Sequence, residues 1–347
     1  MTGCRPFVGY GSGPGRAAVE NYKEMKDLSK DSVNRLVVGE DGDGQRIDNF
    51  LQKLLKGVPK SHIYRILRSG EVRRNRGRVG PDARLAAGDE LRIPPIRTAA
   101  PSLRRAIPPA GALAVPPVLY EDDALIALDK PAGLAVHGGS GIAYGIIERL
   151  RHARPDAKFL ELVHRLDRDT SGVLLVAKKR GALTGLHAQL REGRVDKRYF
   201  VLVRGKWRDA VRRVELALET WVTGDGERRV RVDRDGRVAR TMFRRVKTWP
   251  DLDPPLSLLE AELETGRTHQ IRVHLTHLGY PLAGDDKYGD FAWNKVLSKQ
   301  GLKRMFLHAH RIRFAHPVDG REIVVESPLA PDLAQFVARL DAVASDD

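Results

Sequence analysis

The chain has 347 residues, with 60 Lys and Arg against 45 Asp and Glu, a formal charge of +15. An apolar content of 41% can build folded cores, the length favours two domains over one, and a basic balance points to a polyanion partner, nucleic acid first. No run approaches the roughly 18 apolar residues of a membrane span, and the single cysteine, Cys4, excludes an internal disulfide or a cysteine metal cage.

Residues 1–43 begin glycine-rich, lack the apolar core of a secretory signal and show no periodicity. They read as a disordered tail and lead-in, with Met25 an alternative start. Pattern begins at residue 44. Ile47, Phe50, Leu51, Leu54 and Leu55 form one stripe of an amphipathic helix. Ser61 reads as the N-cap of a second short helix with Ile63, Ile66 and Leu67 inside, and Gly70 as its C′ residue. Glu71-Val72 and Arg78-Val79 then flank an Asn75-Arg76-Gly77 turn, a hairpin signal.

Segment 44–97 carries thirteen Lys and Arg against five Asp and Glu, about half the excess of the whole chain. Helix and hairpin faces turned inward leave Lys53, Lys60, Arg65, Arg68, Arg73 and Arg74 outside, the candidate RNA-binding set. Residues 94–117 hold seven of the 20 prolines. That density forbids a helix or central strand, so 98–117 reads as a Pro/Ala-rich linker.

Residues 118–347 alternate β-rich runs with turns: LIALDKPAG, GVLLVAKK, RYFVLVRG, RVRVDRDG, LEAELETG, QIRVHL and IVVES. Helical stretches are fewer, namely 141–151, 181–192, 269–278 and 331–343. The rhythm is not βαβ, so the expected class is α+β, a mostly antiparallel or mixed sheet flanked by helices. The run Val163-His164-Arg165-Leu166-Asp167-Arg168-Asp169-Thr170-Ser171-Gly172 concentrates polar side chains ahead of a strand. Taken alone, it fits either a site or a tight turn capped by its own Asp and Thr. Tyr199 taken alone fits a core aromatic. His269, His274, His277, His308 and His310 have no metal-ligand spacing, and Asp285-Asp286 reads as a loop bordering a pocket. No P-loop, dinucleotide fingerprint or serine elbow is present.

Two short helices leading into a basic hairpin resemble the S4 RNA-binding domain along the whole of 44–97. HRLDRDTSG resembles the signature of the RluA-type pseudouridine synthases. LYEDDALIALDKPAGLAVHGG (119–139), KRYFVLVRG (197–205), LETGRTHQIRVHLTHLGYPLAGDDKYG (263–289) and FLHAHRIRFAHPVDG (306–320) resemble its other motifs, in the same order.

The resemblance implies isomerisation of specific uridines in large-subunit (23S) ribosomal RNA: the C1′–N1 bond breaks and uracil rejoins through C5. It assigns Asp167 as the nucleophilic or proton-handling carboxylate, Arg272 as the cation paired with it in a dry site, and Tyr199 as the ring against the uracil. Arg165 would enter the RNA stack as the target base flips out. Whether Asp167 attacks C1′, adds to C6 or takes a sugar proton stays open. The resemblance implies no metal or cofactor, an RNA partner and no membrane, and a cytoplasmic protein; monomer is the default. Two rivals remain at this point: a non-catalytic S4-type ribosome-assembly factor, and a glycosidase or nuclease built on the same carboxylate.

Overall fold

The computed structural model describes residues 32–55, 58–96, 113–138, 144–224 and 227–345, divided between two compact units, 1–107 and 108–347. The tail reading of 1–31 and most of the linker reading lie outside the described residues.

The first unit holds β1 (Asn34–Val37), α1 (Ile47–Leu54), α2 (Lys60–Arg68), β2 (Arg73–Arg74), β3 (Gly77–Arg78) and β4 (Glu90–Ile93). Its antiparallel sheet runs β1-β4-β2-β3. Leu36, Ile47, Leu51, Ile63, Ile66, Leu67, Val72, Leu91 and Ile93 close one core under it. The strand β1 corrects the reading of 1–43 as tail and lead-in. Leu36 pairs with Leu91 and packs inward, a two-residue alternation too short to stand out in the sequence.

A second correction concerns Ser61. The helix α2 opens one residue earlier, at Lys60, behind Pro59, whose carbonyl accepts from His62 at 3.0 Å and from Ile63 at 3.2 Å. Proline's fixed φ suits the extended residue that opens the helix, and no side chain caps it. Gly70, at φ +75, follows the helix as its C′ residue. Asn75 and Arg76, at φ 48 and 67, turn the β2–β3 hairpin with both central residues left-handed.

The second unit follows the order β5 (Val118–Glu121), β6 (Leu125–Lys130), α3 (Ile146–Ala153), β7 (Glu161–Leu162), β8 (Ser171–Ala177), α4 (Arg180–Arg191) and β9 (Asp196–Arg204). Then come β10 (Val211–Val222), β11 (Arg228–Val232), β12 (Arg237–Trp249), β13 (Leu256–Leu263), α5 (Gln270–His277) and α6 (Phe291–Lys299). The chain closes with β14 (Leu307–Ala315), β15 (Glu322–Glu326) and α7 (Pro331–Val343).

One mixed sheet runs β11-β10-β12-β13-β9-β14-β8-β6-β5, with β15 on β14 and β7 on β8. Only β14 and β8 among these pairs are parallel. Both faces are covered. Leu174 and Val176 of β8 join the core that holds α3, α5 and Tyr199. Val173 and Leu175 join the opposite core with α4 and β15. Double coverage makes β8 an unbroken apolar run. The structure settles QIRVHL, which suits either period, as the helix α5. Val273 and Leu275 are buried on a helix that packs against β10 and β11.

Candidate active site

The loop 163–170 joins β7 to β8, and its shape is imposed from below. The Lys130 ammonium at the end of β6 donates to the carbonyls of Pro131 (3.0 Å), Arg168 (2.8 Å) and Thr170 (2.6 Å). Three carbonyls match three ammonium protons, although burial pushes its pKa down to about 7. The Thr170 amide donates to the Asp167 carbonyl at 3.2 Å, and His164 Nε2 accepts from the Leu175 amide at 3.1 Å. Asp167 is thus fixed at the crest of a loop pinned on both sides.

Arg272 rises from α5 beneath that crest. Its Nη1 lies 3.3 Å from Asp167 Oδ2, but its strongest grip is elsewhere. Nε donates to Asp285 Oδ2 at 2.7 Å and Nη2 to Asp285 Oδ1 at 2.5 Å, a two-point fork. Asp286 adds a longer contact of 3.4 Å, and the guanidinium lies 5.1 Å from the Tyr288 ring centre. Burial opposes the charge on Arg272, but Asp285, and Asp167 more weakly, outweigh it and hold the guanidinium protonated.

Asp285 is the functional residue that the sequence reading missed. It is fully buried, and the Lys287 and Tyr288 amides donate to its Oδ1 at 2.8 and 3.1 Å. The GDDKYG segment therefore forms the socket of the arginine through Asp285, while Gly284 and Asp286 also border a cleft, as the sequence suggested. Asp167 itself is not buried: its side chain keeps 30% exposure against 4% for Arg272. The dry ion pair expected from the sequence is, without substrate, a carboxylate at the mouth of a cleft with a buried cation below it.

The cleft measures about 600 Å³ and is lined by Arg165, Asp167, Lys197, Tyr199, His269 and Arg272, among others. Tyr199 sits on β9, 7% exposed within the core, so it is a core aromatic and a cleft wall at once. Burial, reinforced by the Asp167 charge, raises its hydroxyl pKa far above the ordinary phenol value, so it stays protonated. Arg165 is exposed at the cleft, and it is Arg168 that pairs with Asp169, at 3.2 Å. A larger cleft of about 930 Å³ lies behind the same loop, against Lys130, Arg168, Ser171 and Arg304, but Asp167, Tyr199 and Arg272 do not line it.

A carboxylate over a buried arginine, a protonated tyrosine and an exposed arginine at the rim can serve a flipped base. Residues 124–277 match the RNA pseudouridylate synthase family and residues 45–91 the S4 domain. The ribosomal large subunit pseudouridine synthase C of Escherichia coli K12 is 49% identical over 318 residues, 89% of this chain and 97% of that protein. The chain belongs to the RNA pseudouridylate synthase family. The protein of the same name from Pasteurella multocida is 48% identical over 92% of this chain and 98% of its own length. Among solved structures, human RNA pseudouridylate synthase domain containing 4 superposes with a TM-score of 0.52 at 25% identity, over 65% of this chain and 92% of that one.

The other residues singled out in this synthase lie apart. His308 bonds Ser171 Oγ at 2.8 Å and the Ser327 carbonyl at 3.1 Å, and His310 pairs with Glu260 at 3.0 Å. His274 is buried with neither ring nitrogen bonded, among the described residues. In the first unit, Lys53, Lys60, Arg65 and Arg68 are exposed on α1 and α2, while Arg73 and Arg74 are half-buried on β2. Lys60 and Arg68 flank the Tyr64 ring at 5.7 and 5.8 Å. Arg65 leans on Glu71 at 3.3 Å, and Arg74 donates to the Arg84 carbonyl at 2.6 Å.

Proposed function

We propose that this synthase converts uridines of large-subunit ribosomal RNA to pseudouridine, with Asp167 as its essential carboxylate. The observation that carries the reading is the placement of Asp167 at the mouth of the Tyr199-lined cleft, over a buried arginine already committed to Asp285. In the reaction the C1′–N1 bond breaks, uracil turns and a C1′–C5 bond forms; C5 gives up a proton and N1 gains one. Atoms and electrons balance within the nucleotide, so we propose no cofactor.

Arg272 holds Asp167 by an ion pair as the base displaces water. Tyr199 packs against the uracil as a neutral phenol, and Arg165 takes the place of the flipped base in the RNA stack. The first unit, from Asn34 to Ile96, grips phosphates with Lys53, Lys60, Arg65, Arg68, Arg73 and Arg74, contacts that position the RNA without reading its sequence. Residues 118–347 carry the chemistry. The protein acts as a monomer in the cytoplasm; among the described residues no helix is long and apolar enough to cross a membrane.

The test incubates deproteinised large-subunit and small-subunit RNA with the protein, digests each to nucleosides and measures pseudouridine and free uracil. Pseudouridine in the large-subunit RNA alone, with no uracil released, is the expected result. Free uracil, chain cleavage, or equal conversion of both RNAs would contradict the reading.

A further inference from the structure

The Asp167–Arg272–Asp285 arrangement leaves His269, on the cleft wall, without a role. His269 precedes α5 with a left-handed backbone, φ 52 and ψ 23. Side-chain-bearing residues seldom adopt such a conformation, and it persists where the surroundings over-determine it. Here the surroundings are explicit. Gln270, buried behind it, accepts from Thr265 Oγ1 at 2.8 Å and from the Arg267 amide at 3.0 Å, and donates to the Arg240 carbonyl and Thr241 Oγ1 at 2.8 and 2.9 Å. The turn that presents His269 is thereby tied to β12, and the imidazole, 12% exposed, is aimed at the catalytic loop.

Its two nitrogens face different groups. Nδ1 is 2.8 Å from the Tyr288 hydroxyl, and Nε2 is 3.7 Å from Asp167 Oδ2. The Tyr288 oxygen already accepts from the Val230 amide at 2.9 Å, which leaves its own proton free to donate. Donated to Nδ1, that proton fixes the neutral ring with its hydrogen on Nε2, facing a carboxylate. The opposite tautomer would set a lone pair against Asp167. Burial lowers the His269 pKa, with Asp167 pulling it up and Arg272 and Lys287 pushing it down, which favours the neutral ring. A separation of 3.7 Å is too long for a hydrogen bond. Catalytic hydrogen bonds are often long without substrate and shorten in its complex.

We propose that His269 is a positioning residue of the isomerisation: locked by Tyr288 in the Nε2–H form, it donates to Asp167 Oδ2 when RNA fills the cleft and fixes the carboxylate's aim together with Arg272. Asp167 Oδ2 then accepts from two donors, one charged and one neutral, which together hold the carboxylate toward the flipped nucleotide. This rests on the isomerase reading above.

The test uses the full chain and uracil-C5-tritiated large-subunit RNA, and compares the parent with Tyr288→Phe, His269→Gln, His269→Asn and His269→Ala. Tyr288→Phe keeps the ring beside Arg272 and removes only the hydroxyl. We expect kcat to fall about ten- to a hundredfold in Tyr288→Phe and His269→Ala with KM within about threefold, the scale of one hydrogen bond to a charge. His269→Gln, whose amide N–H reaches the Nε2 position, should recover part of the loss. His269→Asn, which suits the left-handed turn but is too short, should not. ¹⁵N spectra of the ring should show the Nε2–H tautomer in the parent and a mixture in Tyr288→Phe. A parent without tritium release overturns the isomerase reading. An active parent whose Tyr288→Phe variant keeps kcat and tautomer overturns the role of His269, and equal recovery by Asn and Gln would make it merely a turn residue.

Discussion

Arg272 has more acidic neighbours than it has charge, and the order in which it serves them is the main residue-scale result. Asp285 takes the fork, and Asp167 receives what is left. Asp285→Ala would leave a buried guanidinium without its main partner, so stability should fall by about 3–5 kcal/mol, read by thermal or denaturant unfolding. Asp167→Ala should cost little stability, because that carboxylate keeps 30% exposure, yet abolish turnover. Equal effects of the two changes on stability would contradict this division. The HRLDRDTSG run, the KRY context and the QIR motif singled out Asp167, Tyr199 and Arg272 in the sequence, and the structure brings the three to one cleft. Asp285 was not legible there, because an aspartate pair between glycines reads as an ordinary loop, and only burial beside Arg272 distinguishes it. His269 was visible as one of several histidines, but its left-handed backbone and Tyr288 partner have no sequence signal.

At the scale of elements, the pinned loop depends on the parallel contact of β8 with β14. Gly172, at φ +108, lets the Ala309 carbonyl approach so closely that an added Cβ would lie 2.2 Å from its oxygen. Gly172→Ala is therefore expected to destabilise the second unit by several kcal/mol through strain and lost pairing. An unchanged unfolding midpoint would refute that. Strong runs such as LIALDK and GVLLVA, buried on both faces, could be read directly. The long strands β10 and β12 could not, because outward Arg and Glu interrupt their inward Val214, Leu218, Ala239 and Phe243. The helix α6 escaped notice although Asp290 caps it, accepting from the Trp293 amide at 3.0 Å. Its FAWNKVLSK sequence buries only Trp293 and Leu297, too few for a clear period.

Over the whole molecule, a charge of +15 makes RNA affinity depend on salt. The logarithm of the binding constant should fall linearly with the logarithm of salt concentration, and each phosphate contact removed should flatten the slope by about 0.7–0.9. Lys60→Ala with Arg68→Ala is thus expected to weaken binding to all RNAs alike and reduce the slope, as measured by filter binding; an unchanged slope would exclude those contacts. Two imidazoles held neutral by the fold contribute to its pH dependence. Burial pushes His164 and His274 down to about 4, below the ordinary value near 6.5. As pH falls through that window the unfolded chain takes up protons first, so the contribution of these two groups is fully present above about pH 6.5 and is lost toward pH 4. His274→Leu should shrink that loss, read as unfolding midpoints across the window. The central claim, that Asp167 drives isomerisation at C5, is tested most directly by tritium release from uracil-C5-labelled large-subunit RNA, comparing the parent with Asp167→Ala. Release by the parent and none by the variant is the predicted result; release by both, or by neither, would contradict it.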